Sequence, residues 1–130
     1  MRPTKGIATD AAHSTKRGLT LYRGVDLSTG RELFNVELEN QTVNAGEFFG
    51  VIDAVKYILE HNFEPRVIYT DSITAIAWFK NLKTASKKRI PALMKAEMFL
   101  QVMGSLISDI EVKHWDNEGW GETPSDYNSK

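Results

Sequence analysis

The hydrophobic pattern of this chain changes period near residue 44, and that change restricts the fold more than any other feature. Before it the period is two. Leu19, Leu21, Arg23 and Val25 alternate with Thr20, Tyr22 and Gly24, and Phe34, Val36 and Leu38 alternate with Asn35, Glu37 and Glu39. A two-residue period puts alternate side chains on opposite faces of a strand. A short apolar stretch from Gly6 to Ala11, flanked by polar residues, reads as a further strand, and Ser28-Thr29-Gly30 as a turn. Three strands this closely spaced predict an antiparallel meander.

After the change, Phe48, Ile52, Val55 and Leu59 recur at helical spacing, which predicts a helix from about Asn44 to His61 with Asn44 as N-cap. Val67–Thr70 reads as a buried strand. Ser72 can cap a short helix carrying Ile73, Ile76, Ala77 and Trp78. Pro91 suits the first position of another helix, running to about Ile107, and Ile110–Trp115 reads as a last strand. The order β-β-β-α-β-α-α-β predicts an α/β fold: one mixed five-stranded sheet, three strands antiparallel and then parallel ones, with helices packed on it. We expect a single domain over residues 1–130.

Composition bounds the chemistry. With 42% hydrophobic and 25% charged residues, a chain of 130 residues can bury a core without staples. There is no cysteine, which removes disulfides, thiolate metal sites and a cysteine nucleophile. No stretch is apolar and long enough to cross a bilayer, and the start of the chain has no leader-like apolar run. We expect a cytoplasmic monomer with no membrane partner. The net charge of −1 conceals a basic run, Lys80, Lys83, Lys87, Lys88 and Arg89, with no acid among them. Such a run fits a solvated surface as well as a phosphate-facing patch.

Four acids stand in suggestive places. Asp10 lies in an apolar strand, where aspartate is disfavoured. Asp71 falls where a strand stops and a helix starts, and the carboxyl ends of such strands are where α/β sheets place ligands. Glu47 is expected in the first turn of the long helix, and Asp126 follows Pro124 in the polar tail. Each has a plain alternative: a turn for Asp10, helix-dipole complementation for Glu47, a cap for Asp71-Ser72, tail exposure for Asp126. Taken together they suggest a hard-cation site. Mg²⁺ prefers oxygen ligands, and two such ions about 3.5–4 Å apart serve in-line displacement at phosphorus.

The segments Thr9-Asp10-Ala11-Ala12, Asn44-Ala45-Gly46-Glu47, Tyr69-Thr70-Asp71-Ser72 and Pro124-Ser125-Asp126-Tyr127 together resemble type 1 ribonuclease H. The tail Trp120–Tyr127 is similar to the short branch associated with viroplasmin-type proteins. The resemblance spans nearly the whole chain. It implies cleavage of the RNA strand of an RNA–DNA hybrid with two Mg²⁺ or Mn²⁺ ions. Asp10 would touch both ions, Glu47 and Asp71 would each hold one side, and Asp126 would complete the set. Asn44 resembles a nucleic-acid-contacting residue, suited to reading 2′-hydroxyls, and Ser72 would contact a phosphate or cap its helix. Lys83, Lys87 and Lys88 occupy the place of the family's basic protrusion.

The chain departs from the family in three ways. The loop Asp116–Ser125 has no histidine, leaving Glu122 as its best-placed polar residue. No counterpart of the family's final helix is expected after Asp126, and Trp115, Trp120 and Tyr127 are expected to pin the tail instead. The basic segment is short, and no separate hybrid-binding domain is expected before Asp10. Competing readings are an inactive nucleic-acid-binding module of the same fold, a DNA-acting nuclease of the same superfamily, and a plain protein-interaction domain.

Overall fold

A computed structural model describes residues 2–39, 41–85 and 90–126. The strands are β1 (Ile7–Ser14), β2 (Leu19–Asp26), β3 (Glu32–Glu39), β4 (Val67–Thr70) and β5 (Glu111–His114); the helices are α1 (Val43–His61), α2 (Ile73–Asn81), α3 (Pro91–Val102), α4 (Gly104–Ile107) and α5 (Asn117–Trp120). They form one five-stranded sheet in the order β3-β2-β1-β4-β5. The β1–β2 and β2–β3 pairs are antiparallel, and the β1–β4 and β4–β5 pairs are parallel. This is the predicted mixed sheet.

Three boundaries differ from expectation, each for a local reason. The long helix is capped by Thr42, whose hydroxyl accepts from the Ala45 amide at 3.1 Å, and not by Asn44, which lies inside the first turn. The helix expected from Pro91 to Ile107 ends at Val102 and resumes as a short turn at Gly104. The break falls at Met103 (φ −88°, ψ 5°), immediately before Gly104, and glycine inside a helix costs roughly 1 kcal/mol relative to alanine. The polar tail contains α5, which opens on Asp116; the Asp116 carboxylate accepts from the amides of Glu118 and Gly119.

Helix α1 lies across one face of the sheet at close range. A Cβ at Gly46 would come 2.6 Å from Thr20 Cγ2 and 3.2 Å from Ala11 Cβ, so the absence of a side chain lets the helix sit down on β1 and β2. Around that contact Ile7, Phe48, Val51, Val55, Ile58, Ile68 and Leu100 are fully buried, and Phe48 meets Trp78 edge-on at 5.5 Å. The helix is thereby fixed against the strands that carry the acids. No helix among the described residues is long and apolar enough to cross a membrane.

Candidate active site

Strands β1 and β4 run parallel side by side, but their other neighbours lie on opposite sides, β2 and β5. At such a switch point the strand ends open a crevice. The β1–β4 register pairs Ile7 with Ile68 and Ala8 with Tyr69. Continued past that point, it sets Asp10 beside Asp71 at the mouth of the crevice. Glu47 reaches the same place from α1. Because the helix begins at Val43, Glu47 lies beyond its first turn, which contains no acid. Dipole complementation therefore does not account for this residue.

One carboxylate oxygen each from Asp10, Glu47 and Asp71 lie within 4.8 Å of one another. Thr70 Oγ1 donates to Glu47 Oε2 at 3.2 Å, while Glu47 Oε1 is buried with no hydrogen-bond partner. Asn117 Nδ2 donates to Asp71 Oδ2 at 3.1 Å. Asp126, only 4% exposed, lines the same open cleft of about 460 Å³, as do Glu122, Asn44 and Ser72.

The tail is held in place by packing and by one arginine. Trp115 is fully buried; its indole N–H donates to the Gly121 carbonyl at 2.8 Å, and Trp120 stands edge-on to it at 5.2 Å. The Asp126 amide closes a turn on the Thr123 carbonyl at 2.9 Å. From β2, the Arg23 guanidinium donates to the Ser125 carbonyl at 2.6 Å and to the Pro124 and Asp126 carbonyls, each at 3.2 Å. Glu32 accepts from the same group at 3.0 Å.

Crowding these acids in a partly dry crevice has an electrostatic consequence. Burial pushes the Asp10 carboxyl up to about 7, and the Asp71 charge adds to the shift. Burial pushes Glu47 up to about 9, reinforced by the charges of Asp10 and Asp71. Glu122, though exposed, is raised by its hydrogen bond with Asp126 and by that residue's charge. Burial and like-charge proximity both disfavour the ionised form. An all-oxygen donor set with a buried, unpartnered carboxylate oxygen suits a hard divalent cation, which would relieve the repulsion that protons otherwise relieve.

The four predicted acids thus converge on one cleft. The Ser72 hydroxyl is engaged as the α2 cap, accepting from the Ala75 amide at 3.0 Å, and it still borders the cleft. Asn44 is exposed at the rim. Lys83 is exposed and is not part of the cleft lining; Lys87, Lys88 and Tyr127 lie outside the described residues. His13 pairs with Thr20 Oγ1 at 2.9 Å, and neither it nor the exposed His114 borders the cleft. Sequence reasoning missed Thr70, Asn117 and Arg23. Only Arg23 carried a signal: it occupies an apolar position in the alternation of β2.

No family model matches the chain. Its structure is similar to several solved ones. LC11-RNase H1, isolated from compost by a metagenomic approach, is 16% identical, with 89% of this chain and 87% of that chain aligned at a TM-score of 0.60. The same enzyme in complex with an RNA/DNA hybrid aligns over 86% of this chain and 85% of that chain at 16% identity, with a TM-score of 0.54. Prototype foamy virus protease-reverse transcriptase is 19% identical and aligns over 99% of this chain but 19% of its own, with a TM-score of 0.61. The chain therefore has a ribonuclease H-like fold.

Proposed function

We propose that this chain is a type 1 ribonuclease H, an endonuclease that hydrolyses the RNA strand of RNA–DNA hybrids with two Mg²⁺ or Mn²⁺ ions. The observation that carries the reading is the convergence of Asp10 from β1, Glu47 from α1, Asp71 from just past the end of β4 and Asp126 from the tail on one cleft. A fold alone does not imply an activity; four carboxylates gathered against their mutual repulsion are a feature of the site. That LC11-RNase H1 has been solved in complex with an RNA/DNA hybrid supports the choice of substrate. The motif Trp120–Tyr127 supports placement in the short, viroplasmin-like branch.

Divalent ions at this site would activate water and stabilise the departing 3′ oxygen. The protein's part is to hold and orient. Asp10, Glu47, Asp71 and Asp126 would together hold the ions. Thr70 and Asn117 each occupy one oxygen of Glu47 and Asp71 and so fix the orientation of those carboxylates. Asn44, exposed at the rim, offers an amide able to donate to and accept from a ribose 2′-hydroxyl. Ser72, which caps α2 and borders the cleft, offers a place for a phosphate. Lys83, with Lys87 and Lys88, would add electrostatic attraction to the duplex. Glu122 is the best-placed polar residue of the loop in which many family members carry a histidine, and its hydrogen bond with Asp126 raises its carboxyl.

The test is Asp71→Asn. Asparagine keeps the size, and Ser72 still caps α2, so the fold is retained, but one negative charge is removed from the set. We expect normal circular dichroism and loss of almost all cleavage of labelled hybrid in Mg²⁺ or Mn²⁺. A folded variant cutting the RNA strand near the wild-type rate would overturn the assignment. Duplex RNA and duplex DNA in parallel lanes separate a hybrid-specific enzyme from a DNA-acting nuclease, and no cleavage by wild type would favour a binding module.

A further inference from the structure

We infer that Arg23 is a positioning residue for Asp126: its buried guanidinium fastens the chain at Pro124–Asp126 so that the fourth carboxylate faces the other three. This rests on the proposed metal site. Three successive main-chain carbonyls, those of Pro124, Ser125 and Asp126, accept from this one side chain, across a sequence separation of about a hundred residues. Arginine is almost never buried unless paired, and Arg23 is only 6% exposed. Its rigid fork of donors matches an array of carbonyls in a way that a single ammonium cannot.

The anchor also has a particular address. Arg23 stands directly opposite Asp10 in the β1–β2 ladder, and directly opposed residues project to the same face of a sheet. The first and fourth acids are therefore tied through one cross-strand pair, not through the intervening chain. Further described fastenings of the tail, Trp115 on Gly121, Trp120 against Tyr69 and Asn117 on Asp71, hold it upstream of Asp126. Arg23 is the described contact from the sheet to the carbonyl of Asp126 itself. A purely structural staple would stabilise the fold without regard to Asp126; a positioning residue acts on the cation site only through Asp126.

A double-mutant cycle separates the two roles. Mn²⁺ affinity is measured by calorimetry on full chains of wild type, Arg23→Gln, Asp126→Asn and the double variant, with circular dichroism to verify folding. We expect Arg23→Gln to weaken Mn²⁺ binding about 10-fold or more alone, but less than 2-fold in the Asp126→Asn background. Arg23→Lys, which keeps the charge and loses the fork, should behave like Arg23→Gln, and it replaces Arg23→Gln if that variant does not fold. Equal effects in both backgrounds, or full affinity in Arg23→Lys, would overturn the proposal. Amide exchange in chelator gives a second reading. The Asp126 amide should exchange at least 10-fold faster in Arg23→Lys, with the amides of α1 unchanged. If wild type takes up no Mn²⁺, the metal reading fails, and unaltered exchange at Asp126 would then refute the anchoring role as well.

Discussion

Removing divalent ions should make the stability of this protein depend steeply on pH. Asp10 and Glu47 have carboxyls raised to about 7 and about 9, against ordinary values of 3.8 and 4.5. Between those limits the folded chain keeps protons that the unfolded chain has released. Stability then falls as pH rises, because the slope has the sign of the protons bound when unfolded minus those bound when folded. The two groups titrate as a pair, so we count one retained proton, that of Glu47, across pH 5 to 8. One proton corresponds to about 1.4 kcal/mol per pH unit, or about 4 kcal/mol over the three units. For a domain of this size, 1 kcal/mol moves the melting temperature by roughly 3–5 °C; with relaxation and water entry, we expect a fall of about 10 °C. The assay is thermal melting in chelator across that range, repeated with saturating Mn²⁺ or Mg²⁺ and with Asp10→Asn and Glu47→Gln. Cations should flatten the slope in wild type, since a bound ion replaces the proton and stabilises the folded state by mass action. Both variants should start flatter, and Asp10→Asn should gain less from the ion. An identical slope in Glu47→Gln and wild type, with or without cation, would refute the electrostatic account of the cleft.

Other consequences can be checked independently. Changing Lys83, Lys87 and Lys88 together to alanine should weaken hybrid binding and reduce the slope of log affinity against log salt by about 2, with turnover at saturating hybrid much less affected; an unchanged slope would make the run a solvated surface. Gly46→Ala should destabilise by about 1–2 kcal/mol in urea titration, since the Cβ would meet Thr20 Cγ2 at 2.6 Å and the overpacking outweighs the gain in helix propensity. Its Mn²⁺ affinity should also fall, because Glu47 is the next residue. Asn117→Ala, which frees Asp71 Oδ2, should weaken Mn²⁺ about 10-fold, as loss of a carboxylate's hydrogen-bonding partner commonly does, while leaving the melting temperature in chelator within about 2 °C.

Much of this architecture was legible because period-two and helical patterns report the type of an element, and both patterns here are long; in β2, however, it is Thr20 and Tyr22, not Leu19 and Leu21, that meet α1. Boundaries set by a single capping choice were less so. Thr42 and Asn44 are both good N-cap residues, and the deciding fact is which amide comes within reach, that of Ala45 for Thr42. The break before Gly104 depends likewise on local geometry that a helical period passes over. At the site, Asp10 was visible as an acid in a strand, Asp71 as one at a strand end and Asp126 as one in the tail, but the anchoring of the tail by Arg23 was not. Its main contacts are to carbonyl oxygens, which every residue possesses, so no residue type in Pro124–Asp126 announces them. What the sequence did contain was the other half of the contact. Arg23 interrupts the apolar side of β2 as Asp10 interrupts β1, and the ladder sets these two residues opposite each other. A charge placed against an apolar pattern needs a partner of its own. Two such charges of opposite sign, paired across adjacent strands, mark where the sheet had to be met by something polar. On Asp10's side that is the carboxylate cluster, and on Arg23's side it is the backbone of the tail that brings in the last of the four acids.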